Sequence, residues 1–385
     1  MLHRAALFAL LPSLACAEVP QGPPNADFSP AFEGQTRAAA LPATEVSSAP
    51  FATGLEHPWG IAALPDGRFL VTERPGRLRI VAADGTVSAP LAGVPEVDDR
   101  RQGGLLDVAI GPDFAETGLV FLTYAKRVSG GTVTAAARGV LGDDGLTEVQ
   151  DIFVQSPPSA HPMHYGSRIL PQADGTVWIT TGEHSAPEDR VKAQDLGTTY
   201  GKVIRLNADG SVPQDNPFVG TDGEGSIWSY GHRNIQGAVM GPDGLWTVEH
   251  GPAGGDELNR PEAGLNYGWP VISYGVNYSG SPVGSGEAVR EGMEQPVYYW
   301  DPVIAPGGMM FYGADRAGWQ GDLLIGSLNP GGVVRLRLED GRVTGEERLL
   351  PDVGRVRDVE VLPDGDVLLL IDAPDGAVLR MRPGG

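Results

Sequence analysis

Cysteine is almost absent from this 385-residue sequence, whose single copy is Cys16. One cysteine cannot form an internal disulfide, so the fold must depend on core packing and on any bound metal. Long apolar runs are missing too, and none reaches the length of a membrane-spanning helix. The sequence therefore excludes a disulfide-dependent scaffold, and we expect no integral membrane segment.

Basic residues are scarce. The chain has 28 lysines and arginines against 49 acidic residues, which gives a formal net charge of −21. A chain this acidic repels nucleic acids and anionic membranes, so neither is expected as a partner. The charge is explained well enough by a solvated acidic surface that keeps a protein dispersed.

The first residues have the pattern of a secretory signal. Arg4 precedes the apolar run 5–11, and Ala15-Cys16-Ala17 forms a small-x-small cleavage site. This pattern predicts a signal peptide over residues 1–17 and a periplasmic or secreted protein. Lipidation of Cys16 is the alternative, but the residues before it match a lipoprotein signal poorly. Residues 18–50 are rich in proline, alanine and serine and are expected to form an extended arm.

One theme recurs six times in the rest of the chain: an apolar strand, a turn such as Pro-Asp-Gly, and another strand. The copies lie at 62–72, 109–123, 169–180, 239–248, 319–326 and 361–370. Asp-Gly between β-branched runs favours a hairpin, because glycine adopts the positive φ that the turn needs. Copies at intervals of roughly 40 to 80 residues predict a single all-β domain over residues 51–385, a six-bladed β-propeller.

The irregular spacing of the copies also predicts long insertions on one face of the propeller, which would be the face that holds a cofactor. We expect them at 128–167 and 257–302. The polar, glycine-rich stretch 229–270 adjoins the second insertion, and loops of this kind commonly carry binding and catalytic residues.

Three groups of residues in these loops have the chemistry of a site. His164 opens the strand 169–170 and has the pKa range of a general base, although a loop histidine that caps a strand end would look the same. Arg355 and Arg357 alternate along a strand and would present two guanidinium groups to one multi-carboxylate ligand, unless they are salt-bridged structural residues. Arg233 with Asn234, and Gln102, are further polar candidates that indicate little alone.

The segment 250–257 favours a hard cation. Gly251 and Pro252 can turn their carbonyl groups inward, and Asp256 and Glu257 add negative charge. A wide turn with surface acids is the alternative. No spacing typical of a histidine metal cluster occurs.

Taken together, six motifs resemble the soluble quinoprotein sugar dehydrogenases, in particular the aldose sugar dehydrogenase branch. They are Gln102-Gly-Gly-Leu-Leu, His164-Tyr-Gly-Ser-Arg, Gly231-His-Arg-Asn-Ile-Gln-Gly, Gly251-Pro to Asp256-Glu, Asn266-Tyr-Gly-Trp-Pro and Arg355-Val-Arg-Asp. They occur in the order found in the family and extend over residues 52–382. The resemblance implies a six-bladed propeller that binds pyrroloquinoline quinone (PQQ), in agreement with the repeats.

The resemblance also implies a role for each candidate residue. His164 would remove the proton of the sugar C1 hydroxyl while hydride passes to the quinone, and Arg233 would stabilise the negative charge on the quinone oxygen. The expected quinone-binding residues are Gln102, Arg233, Asn234, Tyr278, Arg355 and Arg357; the expected Ca²⁺ ligands are the carbonyls of Gly251 and Pro252, with Glu257 and Tyr267 at a second, structural Ca²⁺. The implied activity is oxidation of an aldose to a lactone, with electrons passed to a separate acceptor.

One departure from the family pattern concerns Asn329. The glucose enzyme of this family has a quinone-contacting lysine in the matching segment, so this chain lacks that charge. Backbone amides at 330–332 are the available substitutes. His250 stands in place of a glutamine beside the calcium turn, and the sequence offers no explanation for it.

Two other functions remain open from the sequence. A calcium-dependent lactonase propeller would place acids and asparagines around an axial metal and would not need His164 with the Arg355/Arg357 pair. A non-catalytic binding propeller would keep the loops without the cofactor, and Asn329 is the feature that favours it.

Overall fold

The computed structural model describes residues 19–384. The predicted signal peptide and Cys16 lie outside these residues. Almost all regular structure in the described chain is β-strand. The strands are β1 (Val46–Leu55), β2 (Pro58–Ala63), β3 (Phe69–Glu73), β4 (Arg77–Val81), β5 (Leu105–Ile110), β6 (Leu119–Val128), β7 (Gly131–Leu141), β8 (Leu146–Val154), β9 (Gly166–Pro171), β10 (Thr176–Thr181), β11 (Lys202–Asn207), β12 (Ile227–Tyr230), β13 (Ile235–Gly241), β14 (Gly244–Glu249), β15 (Asp256–Asn259), β16 (Tyr298–Trp300), β17 (Pro306–Phe311), β18 (Leu323–Ser327), β19 (Val333–Glu339), β20 (Arg342–Leu349), β21 (Val356–Val361), β22 (Val367–Ile371) and β23 (Gly376–Pro383).

The helices are two single turns, α1 (Phe114–Thr117) and α2 (Pro187–Arg190), with a 3₁₀ turn at Val191–Gln194. Within residues 19–384, no helix has the length and apolar character needed to cross a membrane.

The strands form six antiparallel sheets arranged as the blades of a propeller. Blade 1 is β2–β4, blade 2 β5–β8, blade 3 β9–β12, blade 4 β13–β16, blade 5 β17–β20, and blade 6 β21–β23 together with β1. The ring closes because β1, from the N-terminal side, pairs with β23 along the register from Val46↔Pro383 to Leu55↔Gly376. This arrangement confirms the predicted all-β fold with six blades.

Five of the six sequence repeats form the two innermost strands of a blade, and the fifth copy along the chain covers β18. The turn glycines at 67, 175 and 365 have φ of 84°, 85° and 84°, which is the conformation expected of a Pro-Asp-Gly type hairpin. The predicted insertion at 128–167 was wrong, because β7 and β8 occupy most of it and belong to blade 2. The insertion at 257–302 contains only the remainder of β15 and the short β16.

The N-terminal arm crosses the outer edges of two blades. Gln35 accepts the Tyr299 N–H beside β16, and Glu346 of β20 exchanges backbone hydrogen bonds with the arm at Ala39 and Leu41. The arm therefore pairs with edges that would otherwise leave strand hydrogen-bonding groups open. Strand β1 begins at Val46, so the end of the stretch expected as an arm is part of blade 6.

Apolar side chains fill the spaces between neighbouring blades. Between blades 4 and 5, for example, Trp246 and Trp300 pack with Leu323, Ile325 and Leu336, and all five are buried. The innermost strands are covered on both faces, so they are apolar almost throughout.

Each innermost strand has a register shift where it pairs with the second strand of its blade. A β-bulge bends the strand and redirects the side chains at that point. Residues of these irregular stretches surround the propeller axis, and Arg168 of β9 is one of them.

Arg168 is buried at the axis and joins several blades. Its Nη1 donates to Asp107 Oδ1 at 2.9 Å and to Asp358 Oδ2 at 3.0 Å, and its Nε donates to the Gln236 carbonyl at 2.7 Å. These partners belong to blades 2, 6 and 4. Burial raises the pKa of Asp107 to about 6, although Arg168 opposes the shift.

The remaining two blades also contact this group. The Arg168 guanidinium lies 4.4 Å from the centre of the Trp59 ring in blade 1. In blade 5, a Cβ on Gly308 would lie 1.7 Å from Asp358 Oδ1 and 2.7 Å from Arg168 Nη2, so only glycine fits there. One arginine thus connects all six blades.

We predict that Arg168→Met destabilises the protein by about 3–5 kcal/mol, because Asp107 and Asp358 would remain buried without their counter-charge. The measurement is the free energy of unfolding in urea at pH 7. Arg68→Met is the matched control, since the Arg68–Asp66 pair is about half exposed and should contribute roughly 0–1 kcal/mol. Equal losses in the two variants would contradict the assigned role of Arg168.

Candidate active site

A cavity of about 180 Å³ gathers most of the residues that the sequence singled out. The predicted residues that line it are Gln102, His164, Arg233, Asn234, Tyr278, Arg355 and Arg357. Asn329 is exposed and does not line the cavity, whereas its neighbour Leu328 does.

Sequence reasoning missed four other lining residues, Trp59, Arg74, Gln236 and Asp372, and left His250 unexplained. A positional signal was available for three of these five. Arg74, His250 and Asp372 each follow directly on the second strand of a blade, β3, β14 or β22. Equivalent strand ends of a propeller meet at the same mouth of the channel, so residues at this position were candidates as a class.

The cavity is strongly cationic within an acidic protein. Four arginines line it, Arg74, Arg233, Arg355 and Arg357, against the single carboxylate of Asp372. The Nε atoms of Arg233 and Arg357 are buried and have no hydrogen-bond partner among the described residues. Buried donors are normally satisfied, so these two indicate that the site is built for a ligand with several acceptor oxygens.

Asp372 orients the two arginines of blade 6. Its Oδ2 accepts from Arg357 Nη2 at 3.0 Å and from Arg355 Nη2 at 3.3 Å, and Gln236 Oε1 accepts from Arg357 Nη1 at 2.7 Å. Both interpretations of the arginine pair therefore hold: the arginines are salt-bridged, and they face the cavity. Burial lowers the pKa of Arg357 to about 10, with Asp372 opposing the shift.

His164 is held in an uncommon backbone conformation, with φ of 44°. Its N–H donates to Gln102 Oε1 at 2.9 Å, and its carbonyl lies so close to Gly182 that a Cβ there would approach it to 1.9 Å. Its Nδ1 lies 3.3 Å from Glu183 Oε1. Burial lowers the pKa of His164, and Arg233 lowers it further, while Glu183 opposes both. His164 is thus neutral at pH 7.

Glu183 was not singled out from the sequence. Because its carboxylate accepts from Nδ1, it fixes the tautomer of His164 in which Nε2 carries the lone pair, and it would stabilise the protonated ring. A buried acid directly after β10 and one glycine was the available signal.

The backbone of Arg233 is fixed by Glu249, whose Oε2 accepts its N–H at 2.6 Å. The Arg233 Nη1 donates to the His250 carbonyl at 2.8 Å, and its guanidinium lies 5.1 Å from the Trp269 ring centre. Asn234 Oδ1 accepts the Gly166 N–H at 3.0 Å, so Asn234 also ties blade 4 to the His164 loop.

The loop 250–256 is a closed turn around Asp256. Its carboxylate accepts backbone N–H groups from Gly251 at 2.7 Å, Ile304 at 2.9 Å and Ala305 at 2.7 Å. Burial raises the pKa of Asp256 to about 7, although these N–H groups oppose the shift. Gly251 and Pro252 are buried, and only glycine fits at 251, because a Cβ would lie 2.2 Å from the Gly255 carbonyl oxygen.

Glu257 forms a buried carboxylate pair with Glu249, its partner in the β14–β15 register. Asn259 Nδ2 donates to both, at 3.2 and 3.0 Å, and its Oδ1 is buried without a partner among residues 19–384. Burial raises the pKa of Glu257 well above its ordinary value, and Glu249 adds to the shift. Two facing carboxylates with an unsatisfied amide oxygen fit a hard cation.

Tyr267 lines the same small cavity as Glu249 and Glu257. Its ring stacks on His232 at 4.7 Å, and its hydroxyl is engaged by the Arg260 carbonyl and the Glu262 N–H. Any cation here would rely on carbonyl and amide oxygens, since in the described part of the chain no three His, Cys, Asp or Glu residues cluster to hold a metal.

Comparison with known proteins gives a consistent result. A family model described as Glucose / Sorbosone dehydrogenase matches residues 55–380. The chain is 43% identical over 340 residues to the aldose sugar dehydrogenase YliI of Escherichia coli (strain K12), covering 86% of this chain and 91% of the relative.

Two solved structures are similar over nearly the same range. One is the soluble aldose sugar dehydrogenase of Escherichia coli in its apo-form, with TM-score 0.85 and 40% identity, covering 88% of this chain and 100% of that one. The other is the PQQ-bound form of an aldose sugar dehydrogenase from Streptomyces coelicolor, with TM-score 0.71 and 26% identity, covering 89% and 100%.

We predict that Asp372→Asn destabilises the protein at neutral pH by about 3 kcal/mol, because Arg357 loses its counter-charge in a buried site. Burial alone would raise the pKa of Asp372, but Arg357 and the His57 hydrogen bond bring it below its usual range. A depressed pKa stabilises the fold above the ordinary value near 4 and loses that effect in acid.

The difference in unfolding free energy between the two proteins should therefore be constant from about pH 5 to 8 and shrink below about pH 4. Asp364→Asn is the control, because that carboxylate is 56% exposed. A difference that did not depend on pH in acid would contradict the ion-pair explanation.

Proposed function

The chain belongs to the Glucose / Sorbosone dehydrogenase family, and we propose that it oxidises aldose sugars at C1 to lactones with the help of His164 and a bound Ca²⁺. That it is a PQQ-dependent sugar dehydrogenase, an oxidoreductase acting on CH–OH groups, follows from the family. The observation that carries the proposal is the cavity itself: four arginines against one carboxylate, with a neutral, buried histidine in the same wall.

The residues present fit PQQ, whose three carboxylates need cationic donors. Arg355 and Arg357 are oriented to bind carboxylates, and the unpaired Nε of Arg357 is available for a further hydrogen bond. Arg74 adds a cation that has no carboxylate partner among the described residues, while Asn329 lies outside the cavity lining. Gln102, Asn234 and Tyr278 complete the set of predicted lining residues.

When bound, PQQ supplies the two-electron acceptor for hydride from the sugar C1 carbon. His164 accepts the C1 hydroxyl proton at Nε2, since Nδ1 is directed to Glu183. Glu183 stabilises the imidazolium that results. Loss of this proton and of hydride from C1 converts the hemiacetal into the lactone. Arg233, with an unpaired Nε, stabilises negative charge on the cofactor oxygen.

Calcium completes the proposal. The carbonyls of Gly251 and Pro252 would hold one ion near the cofactor, where it would act as a Lewis acid. The Glu249–Glu257 pair with Asn259 Oδ1 would hold a second, structural ion beside Tyr267. We further propose that the protein is exported, in keeping with the signal pattern at 1–17, and that a separate acceptor reoxidises it.

The lactonase alternative is not favoured, because the propeller axis holds the Arg168 guanidinium between Asp107 and Asp358. An axial metal would have to displace that cation. A binding-only propeller has no use for the His164–Glu183 pair, which has the geometry of a base with its orienting carboxylate.

Reconstitution tests the proposed function. Apo-protein stripped of metal with EDTA should show no sugar-dependent dye reduction, and PQQ with Ca²⁺ together should restore it. Addition of PQQ alone and of Ca²⁺ alone are the controls. Absence of turnover in a folded sample that binds PQQ, measured over a panel of aldoses, would reject the proposed function.

His164→Asn tests the base. The variant should retain PQQ binding, measured by absorption titration, and lose about 10²- to 10⁴-fold in kcat. In the unaltered protein kcat/KM should fall only at pH values below the ordinary histidine pKa of 6.5, because the pKa of His164 is lowered and the neutral ring is the active form. Retained activity in the variant would remove His164 from this role.

A further inference from the structure

Tyr278 has an unusual position for a large aromatic residue. It lines the cavity and yet is 78% exposed, more than any other large apolar side chain in residues 19–384. It is carried by a small hairpin whose base is the bridge pairing of Val276 with Ala253 and Pro282. Its own packing does not fix it, so its position depends on what holds this hairpin.

Asn277, the preceding residue, holds the turn from within. Its N–H donates to the Ser281 carbonyl at 2.9 Å, and its Nδ2 donates to the Pro282 carbonyl at 2.8 Å. Its Oδ1 points to a different part of the chain and accepts from Arg190 Nη1 at 3.1 Å. This is the side-chain contact by which the tip of the hairpin reaches blade 3.

Arg190 is well placed to hold it. It ends α2, and its Nε donates to the Ser185 carbonyl at 2.7 Å. Its guanidinium lies 5.7 Å from the Trp269 ring centre, and Arg233 lies 5.1 Å from the same ring. Arg190 makes no ion pair with a carboxylate among the described residues, so its hydrogen bonds are directed only to loop oxygens.

The same hydrogen bonds lead to the proposed base. The Ser185 N–H donates to Glu183 Oε2, and Glu183 Oε1 lies 3.3 Å from His164 Nδ1. A continuous path therefore runs from His164 through Glu183, Ser185 and Arg190 to Asn277, next to Tyr278.

We propose that Arg190 is a positioning residue for sugar binding: it fixes the Tyr278 hairpin over the cavity mouth in register with the His164–Glu183 pair. The inference rests on the proposed function. It explains how a highly exposed aromatic residue on a long insertion can form a defined wall of a substrate site. Arg190 itself need not touch the sugar or the cofactor.

The first test needs no activity. Amide hydrogen exchange of residues 274–284 should become faster in Arg190→Gln and in Asn277→Ala, because each removes the same tether. Arg290→Gln is the matched control: it lies in the same insertion, is about two-fifths exposed and pairs only with Glu287, three residues away. Unchanged exchange in Arg190→Gln, or an equal change in Arg290→Gln, would overturn the proposal.

The second test uses steady-state kinetics of the protein loaded with PQQ and Ca²⁺. Arg190→Gln and Asn277→Ala should each raise the KM for aldose about tenfold, with a smaller effect on kcat and none on the PQQ titration. The double variant should be little worse than either single one, since both remove one contact. Additive effects on KM would contradict a shared tether.

The pH profile separates the charge of Arg190 from its hydrogen bonds. The charged and titratable groups that act on His164 are Glu183, Arg233 and Arg190, with His184 and His250 nearby. Arg190 lowers the pKa of His164, so Arg190→Gln should move the acid limb of kcat to higher pH. Arg190→Lys should restore the limb but not KM, because an ammonium group lacks the fork that reaches both Ser185 and Asn277.

The outcomes distinguish this inference from the proposed function. If the loaded, unaltered protein does not oxidise sugars, the proposed function fails, and the exchange experiment still decides whether the tether exists. If it does oxidise sugars and Arg190→Gln leaves KM unchanged, only the role of Arg190 fails.

Discussion

The fold depends on one buried cation at the propeller axis. Arg168 contacts or packs against a residue of every blade, and its two carboxylate partners come from blades 2 and 6. A ring of sheets has no central core of its own, so the first strands must be joined by contacts across the channel. A guanidinium suits this task because its donors lie in a fixed plane and reach several partners at once. It also sets where each first strand begins, and those strand ends carry the active-site residues.

The active site reverses the charge of the surrounding protein. In a chain with far more acids than bases, four arginines share one cavity, and Asp372 is the only acid that lines it. Asp372 keeps two of them aligned without neutralising the site. The neutral state of His164 follows from the same arrangement, because burial and the positive charge of Arg233 both disfavour a proton on the ring. The cavity that attracts an anionic cofactor thereby also prepares the base.

Much of the fold was predictable because the Pro-Asp-Gly hairpins are local signals: a turn type requires particular residues wherever it occurs. The segment 128–167 was misjudged because β7 and β8 lack such a turn, and their pairing depends on contacts with β6 that a local pattern does not reveal. Most of the predicted lining residues came from motifs. Glu183, Arg74 and Asp372 were missed because each acts on a residue far away in the chain or on one that carries no motif.

The sequence by itself determined the number of blades, the absence of a disulfide and the residue types available for an anionic ligand, since these follow from turn chemistry and composition. Only the tertiary structure decided which residues meet. His164 and Arg357 are almost 200 residues apart, and they share a cavity because closure of the ring brings blades 3 and 6 to one channel. The structure likewise placed Leu328, and not Asn329, at the cavity. Burial and partner geometry are properties of the closed ring, so no stretch of sequence specifies them alone.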